Sequence, residues 1–361
     1  MGGAPLPGAA APEAPSGPQR RRVGPRDALE RSVRKIWSEV LGHREFGVQD
    51  NFFELGGASL AMVRVQLLIR DLCGYELPLA ALFAAPTIAG TAVLLRGSAR
   101  PDPGPLVPLS PDGAGPPLLC FHPVGGSAAV YFPLALSMPE RPVYGLQALG
   151  LTTGTAPQAT MAELVETYLA AIRAVAPSGP YHLLGYSLGG IVAFAVAHEI
   201  RARHGETPTV ILVDTPASTR LGPAEPYLAV GSYALNLDLD YDQIVPSGRD
   251  QAIETIYQEA RRAGVFGTAF PIDRLASIFD TALANARAAH DYPLRWYDGE
   301  VVLVQSGSAP DSADWQPYAA KVTCYTVPLP HAVMLEEKSA RRISAILSAH
   351  FAAAAPTERP A

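Results

Sequence analysis

Residues 181–197 read Tyr-His-Leu-Leu-Gly-Tyr-Ser-Leu-Gly-Gly-Ile-Val-Ala-Phe-Ala-Val-Ala: an apolar strand, one sharp turn and an apolar helix. A short strand buried on both faces and followed directly by a helix is the building unit of a parallel sheet covered by helices. Gly-x-Ser-x-Gly at the junction makes the turn tight. Glycines at 185 and 189 let strand and helix close on each other, while Ser187 takes a strained backbone conformation. The turn lifts the Ser187 hydroxyl above the sheet and sets it at a helix N-terminus, whose dipole favours a developing anion.

The same alternation runs from Pro117 to the C-terminal region. Leu118–Phe121, Val143–Gln147, Tyr181–Gly185, Val210–Asp214, Glu300–Gln305 and Val322–Val327 read as strands. Met161–Val175, Leu188–His204 and Arg341–Phe351 read as helices. The pattern predicts a mostly parallel sheet covered on both faces. Residues 216–295 interrupt it with helical segments at Pro246–Gly264 and Ile272–His290 and no strand between them. Such an insertion predicts a lid over the carboxyl ends of the strands.

A serine hydroxyl needs a base to become a nucleophile. Of eight histidines, His331 follows the last predicted strand and a Pro-Leu-Pro turn, on a loop that reaches the nucleophile in such a sheet. His122, at the end of the first strand, competes; it is expected to shape its loop instead. The acid that orients the imidazole comes from two candidates. Asp214 ends an uninterrupted apolar strand, which fixes its height in the sheet. Asp311 lies six residues beyond the next strand, in a Ser/Gly/Ala/Pro loop. Asp214 is the favoured choice. Two backbone donors are expected for the tetrahedral oxyanion: the N–H of Leu188, next to the nucleophile, and that of Val124 in the loop Phe121-His-Pro-Val-Gly-Gly-Ser127.

A second serine lies upstream. Ser59 ends Asp50-Asn-Phe-Phe-Glu-Leu-Gly-Gly-Ala-Ser59 and is expected to start a helix running to about Leu72. Residues 26–97 read as a small helical domain: Leu29, Val33, Ile36, Trp37, Val40 and Leu41 fall on one face of a helix over Asp27–Leu41, and Thr87–Leu95 forms a last helix. Residues 98–116, with Pro101, Pro103, Pro105, Pro108, Pro111 and Pro116, predict a semi-extended linker. Residues 1–25, rich in Pro, Ala and Gly, predict disorder.

Composition excludes several classes. The 361 residues carry a net charge of −6 from 28 basic and 34 acidic side chains, so no basic field argues for nucleic acid. No uninterrupted run reaches the roughly 18 apolar residues of a membrane span. The three cysteines, Cys73, Cys120 and Cys324, show neither metal spacing nor a disulfide framework, which predicts a cytoplasmic protein without a metal.

At these residues the chain resembles the carrier protein–thioesterase didomain that ends nonribosomal peptide synthetases. The likeness covers about residues 26–355. Asp-Asn-Phe-Phe-Glu-Leu-Gly-Gly-x-Ser resembles the peptidyl carrier motif, with Ala58 where the family usually has His or Asp. Val143–Gln147, Gly179–Gly190 and His331–Leu335 are similar to type I thioesterases, with Pro330 where an acidic residue is common. The resemblance implies a small four-helix carrier domain followed by an α/β-hydrolase domain over 117–355. It implies that Ser59 carries covalent 4′-phosphopantetheine, and it supports Asp214 as the acid. It implies a serine thioesterase that takes an acyl or peptidyl thioester from the carrier and releases it by hydrolysis or macrocyclisation. Its expected partners are upstream condensation and adenylation modules and a phosphopantetheinyl transferase. A polyketide acyl carrier–thioesterase and a non-catalytic carrier or docking module are the competing expectations.

Overall fold

The computed structural model describes residues 23–58, 61–62, 64–66, 68–69, 77, 79–97, 104–151, 155–218, 222–235, 237–263, 271–290, 292–307 and 314–354. Ser59, Asp311 and most of the expected N-terminal tail therefore lie outside the described residues. The described chain begins inside that tail: the Val48 N–H donates to the Val23 carbonyl at 2.9 Å.

The N-terminal region is helical. Helix α1 (Ala28–Leu41) starts on Asp27, whose side chain accepts from the Glu30 N–H, and stops at Gly42 with φ 75°, the left-handed position where glycine is favoured. Of its apolar stripe, Val33, Ile36 and Trp37 are fully buried. Further helical positions fall within 61–69, and α2 (Leu79–Ala84) and α3 (Ile88–Gly97) complete the described helices of this region. Phe52 turns inward against Trp37, with ring centroids 4.9 Å apart. Its neighbour Phe53 turns the other way, toward Phe83 at 5.2 Å. Phe83 in turn stacks on Phe132 of the second region at 3.7 Å and 5°.

The expected linker contains a strand. β1 (Leu106–Ser110) pairs antiparallel with β3 (Val143–Leu146), with a register shift between Pro108 and Ser110. The proline-rich composition concealed it, because proline is tolerated on an edge strand. The remaining strands are β2 (Leu118–Phe121), β4 (His182–Tyr186), β5 (Thr209–Val213), β6 (Tyr297–Ser306) and β7 (Ala319–Val327). The order is β1-β3-β2-β4-β5-β6-β7, and every pair except β1–β3 is parallel.

Strand alternation divides the core into two layers. Leu118, Cys120, Leu184, Ile211, Val213, Val302 and Val304 face one side, where α4 (Phe132–Leu136) and α10 (Glu337–Ala354) pack and where the apolar cluster continues into the N-terminal region. Leu119, Phe121, Leu183, Val210, Leu212, Val301 and Leu303 face the other side, under α5 (Met161–Val175) and α6 (Leu188–His204).

Between β5 and β6 the described chain is helical, with α7 (Glu225–Leu228), α8 (Arg249–Arg262) and α9 (Ile272–His290) as its main elements. These have their own apolar cluster, including Tyr227, Ile253, Ile256, Leu275 and Phe279. Tyr227 and Phe279 meet edge to face at 4.9 Å. The apolar residues of the insertion thus pack largely on one another.

Candidate active site

Ser187 stands between β4 and α6 with φ 55° and ψ −129°. Positive φ is unfavourable for a residue with a Cβ, so the surroundings must hold it there. The Ser187 N–H donates to the Val213 carbonyl at 3.0 Å. Its own carbonyl accepts from the Gly190 N–H and the Thr215 hydroxyl, each at 3.0 Å. Two glycines are sterically required. A Cβ at Gly185 would lie 2.0 Å from the Gly189 carbonyl oxygen, and one at Gly189 would lie 2.2 Å from that of Phe121. Strand, helix and the neighbouring strand end therefore converge on this turn with no room for a side chain.

Asp214 follows β5 and is also held at positive φ, 45°. Its N–H donates to the Val304 carbonyl at 2.8 Å. Only 7% of the residue is exposed, and both carboxylate oxygens are engaged. Oδ1 accepts from the Ser306 N–H at 2.7 Å and Oδ2 from His331 Nδ1 at 2.7 Å. Burial pushes the carboxyl up, but the hydrogen bonds from His331 and Ser306 outweigh it, and the group lies below the usual carboxylate range. Donation from Nδ1 selects the neutral tautomer whose lone pair is on Nε2.

Tyr186 couples the histidine loop to the turn. Its ring stacks on the His331 imidazole at 4.7 Å and 27°, and its hydroxyl donates to the His331 carbonyl at 2.7 Å. The residue immediately before Ser187 thus touches His331 directly.

Val124 lies in the loop after β2, and this loop is anchored along its length. The His122 N–H donates to the Leu146 carbonyl at 3.1 Å, the Gly126 N–H to the Pro123 carbonyl at 2.9 Å, and the Ala148 N–H to the Gly126 carbonyl at 2.9 Å. The Val124 carbonyl accepts from the buried Asn285 amide of α9 at 2.9 Å. Gly126 has φ 83°, and a Cβ there would meet Thr281 and Ala148 at 2.9 and 3.0 Å. Leu188 is the first residue of α6, so its N–H is one of the donors an α-helix leaves without an internal partner.

His122 is fully buried and doubly held. Its Nδ1 donates to the Pro123 carbonyl at 2.8 Å, and its Nε2 lies 2.5 Å from the Tyr168 hydroxyl. Burial lowers its pKa to about 4, so it remains neutral with both nitrogens engaged. Glu225, at the start of α7, lies within electrostatic reach of His331. Burial pushes its carboxyl up, and the neighbouring His331 opposes that shift.

Around the other serine, the Gly57 N–H donates to the Phe52 carbonyl at 3.0 Å and the Met62 N–H to the Ala58 carbonyl at 3.2 Å. A Cβ at Gly57 would fall 2.2 Å from the Phe52 ring. Ala58 is exposed just before the helical positions within 61–69. An exposed turn entering a helix suits a phosphodiester, because helix N-terminal N–H groups favour anions.

Sequence reasoning did not single out Tyr186, Ser306, Asn285 or Glu225. Tyr186 was within reach, as the residue inside Gly-x-Ser-x-Gly. The others act through contacts between residues distant in the chain and carry no local signature.

Two family models match the chain. The phosphopantetheine attachment site covers residues 31–95 and the thioesterase domain residues 116–229. Ser59 falls in the first, and Ser187 and Asp214 in the second. Malpinin synthetase of Mortierella alpina is 40% identical over 200 residues, which is 54% of this chain and 3% of that protein. The dimodular nonribosomal peptide synthase of Bacillus subtilis is 33% identical over 320 residues, 82% of this chain and 13% of that protein. The chain thus spans a small part of the curated relatives it matches. Among solved structures, the Vlm2 thioesterase domain bound with a dodecadepsipeptide is 25% identical, with TM-score 0.54, over 68% of this chain and 97% of that one. A phosphopantetheine attachment domain followed by a thioesterase domain of the α/β-hydrolase fold is the architecture of this chain.

Proposed function

We propose that this chain, a carrier domain followed by a thioesterase domain of nonribosomal peptide synthetase type, unloads its own carrier by acyl transfer to Ser187. Ser59 is the attachment point for 4′-phosphopantetheine, which supplies when bound a thiol that holds an acyl or peptidyl group as a thioester. His331 Nε2 takes the Ser187 proton as the hydroxyl oxygen attacks the thioester carbonyl. Asp214 holds the imidazole in the required tautomer and stabilises its charged form. The N–H groups of Val124 and Leu188 stabilise the oxyanion. His331 would then give that proton to the departing sulfur as the C–S bond breaks, leaving an ester on Ser187. Water, or a nucleophile within the bound chain, then attacks that ester with His331 again as base. The first gives a free acid and the second a macrocycle.

The observation that carries this reading is the Asp214–His331 hydrogen bond at 2.7 Å, with the imidazole stacked on the residue before a serine at positive φ. That arrangement also weighs against a purely non-catalytic docking module. The nonribosomal peptide synthases among the relatives and the depsipeptide-bound Vlm2 domain favour a peptidyl over a polyketide substrate. Upstream synthetase modules would supply it, and a phosphopantetheinyl transferase would install the arm. Among the described residues no helix is long and apolar enough to cross a membrane; the three cysteines of the sequence lack the spacing of a disulfide framework, and on that ground we assign the reaction to the cytoplasm. The test is to load Ser59 with an acyl-pantetheine and follow its mass. With Ser187→Ala the acyl group should stay on the carrier; normal release by that variant would refute the assignment.

A further inference from the structure

Tyr131 is fully buried beside the site, and the steps above do not use it. It ends a single-turn 3₁₀ helix (Ala128–Tyr131) whose start is capped by the Ser127 hydroxyl, which accepts from the Ala129 N–H at 3.2 Å. The Tyr131 hydroxyl donates to the Phe121 carbonyl and accepts from the Tyr186 N–H at 2.8 Å. Those two groups face each other across the last rung of the β2–β4 ladder. The N–H groups of Leu118 and His122 point toward β3, so Phe121, of opposite parity, points its peptide groups toward β4. There it stands in register with Gly185, one residue before Tyr186. The hydroxyl is therefore seated where β2 and β4 part company. β2 goes on into the loop that carries Val124, and β4 into the turn that carries Ser187.

We propose that Tyr131 is a positioning residue for acyl transfer: its hydroxyl sets the gap between the loop that carries the oxyanion donor and the turn that carries the nucleophile. The inference rests on the reading of Ser187 and Val124 given above. Burial keeps the phenol protonated, so it donates to one strand end while accepting from the other. Without it, Phe121 and Tyr186 can only close directly on each other or admit water, and either change moves Ser187 relative to Val124. An oxyanion donor works only within about 2.7–3.1 Å of the place where the charge forms, so a small change in this gap is felt in the chemical step. The next residue, Phe132, bears the stacked Phe83 of the carrier region. The same ridge therefore borders both the docked carrier and the site.

The experiment uses the full holo chain with a small soluble acyl thioester and a fluorophosphonate probe of Ser187. Tyr131→Phe keeps the ring and removes only the hydroxyl. The expected result is a kcat lower by roughly tenfold, the scale of one hydrogen bond, with KM within about twofold and Ser187 labelling slowed in proportion. A purely structural hydroxyl would lower the melting temperature and leave kcat of the folded protein unchanged. That result, with labelling at the wild-type rate, would overturn the proposal and leave the function of Ser187 standing. Wild-type protein that neither turns over the thioester nor reacts with the probe would instead overturn the functional reading. Should Tyr131→Phe not fold, a fluorinated tyrosine at 131 alters the strength of both hydrogen bonds in place. A kcat shift at constant KM is then the supporting result, and an unchanged kcat the contrary one.

Discussion

The turn before Ser59 and the turn that carries Ser187 both contain glycine and both run into a helix, yet they are held in different ways. Before Ser59, one glycine packs on the Phe52 ring, and Ala58 stands exposed at the surface of a small helical region. At Ser187 the backbone is strained, two glycines are wedged against neighbouring main chain, and hydrogen bonds run to β5, Thr215 and Gly190. The difference follows from what each residue would do. An attachment point must be reachable by a modifying enzyme and free to deliver its cargo. A nucleophile must be fixed against its base and its oxyanion donors before the substrate arrives.

Separating the two serines by mutation should give the largest effects. Ser59→Ala should abolish arm loading, seen as loss of the phosphopantetheine mass, while turnover of a small soluble thioester persists. Asp214→Asn keeps the shape of the site but removes the acceptor that selects the imidazole tautomer. Its kcat on soluble thioesters should fall by roughly 10²–10⁴-fold, with arm loading unaffected. Loss of soluble turnover in the first variant, or of loading in the second, would break the division of labour.

A smaller effect is expected where the two regions touch. Phe132→Ala removes the platform under Phe83. It should slow release of carrier-bound acyl groups several-fold, because docking within one chain acts through effective concentration, and leave soluble thioesters nearly unaffected. Equal slowing of both would mean that the contact supports only the hydrolase fold.

The smallest effect is on stability against pH. The Asp214 carboxyl is held below its ordinary value in the folded protein. Its stabilising contribution is therefore fully present above the unfolded value of about 3.9 and is lost as pH falls through the lower folded value. Urea midpoints measured between pH 6 and pH 3 should drop less steeply for Asp214→Asn than for wild type over the lower part of that range.

What was legible in the sequence follows the reach of each interaction. The parallel sheet could be read because most of its strands are short apolar runs, with helices following β3, β4 and β7. Ile272–His290 read as helical in the sequence, and the structure has that helix with the same limits. β1 was missed because Pro108 marks a linker in composition yet sits without penalty on an edge. The sequence favours Asp214 over Asp311 because an uninterrupted apolar strand fixes its height, with the family resemblance in support; its Oδ2 lies 2.7 Å from His331 Nδ1. The positive φ of Asp214, the support from Ser306 and the hold of Asn285 on Val124 join residues far apart in the chain. No local pattern encodes such contacts. Tyr131 is the sharpest case, since only the register of β2 against β4 gives its hydroxyl a meaning.

The claim on which the account turns is that Ser187 accepts the acyl group from the carrier before product leaves. The direct measurement is to load the holo protein with an acyl group, quench at short times, and locate the acyl mass by peptide mapping. The account predicts a transient ester on the peptide that contains Ser187, rising as the mass on the Ser59 peptide falls. Release of product with the acyl group passing straight from the Ser59 peptide to solution, and never found at Ser187, would contradict it.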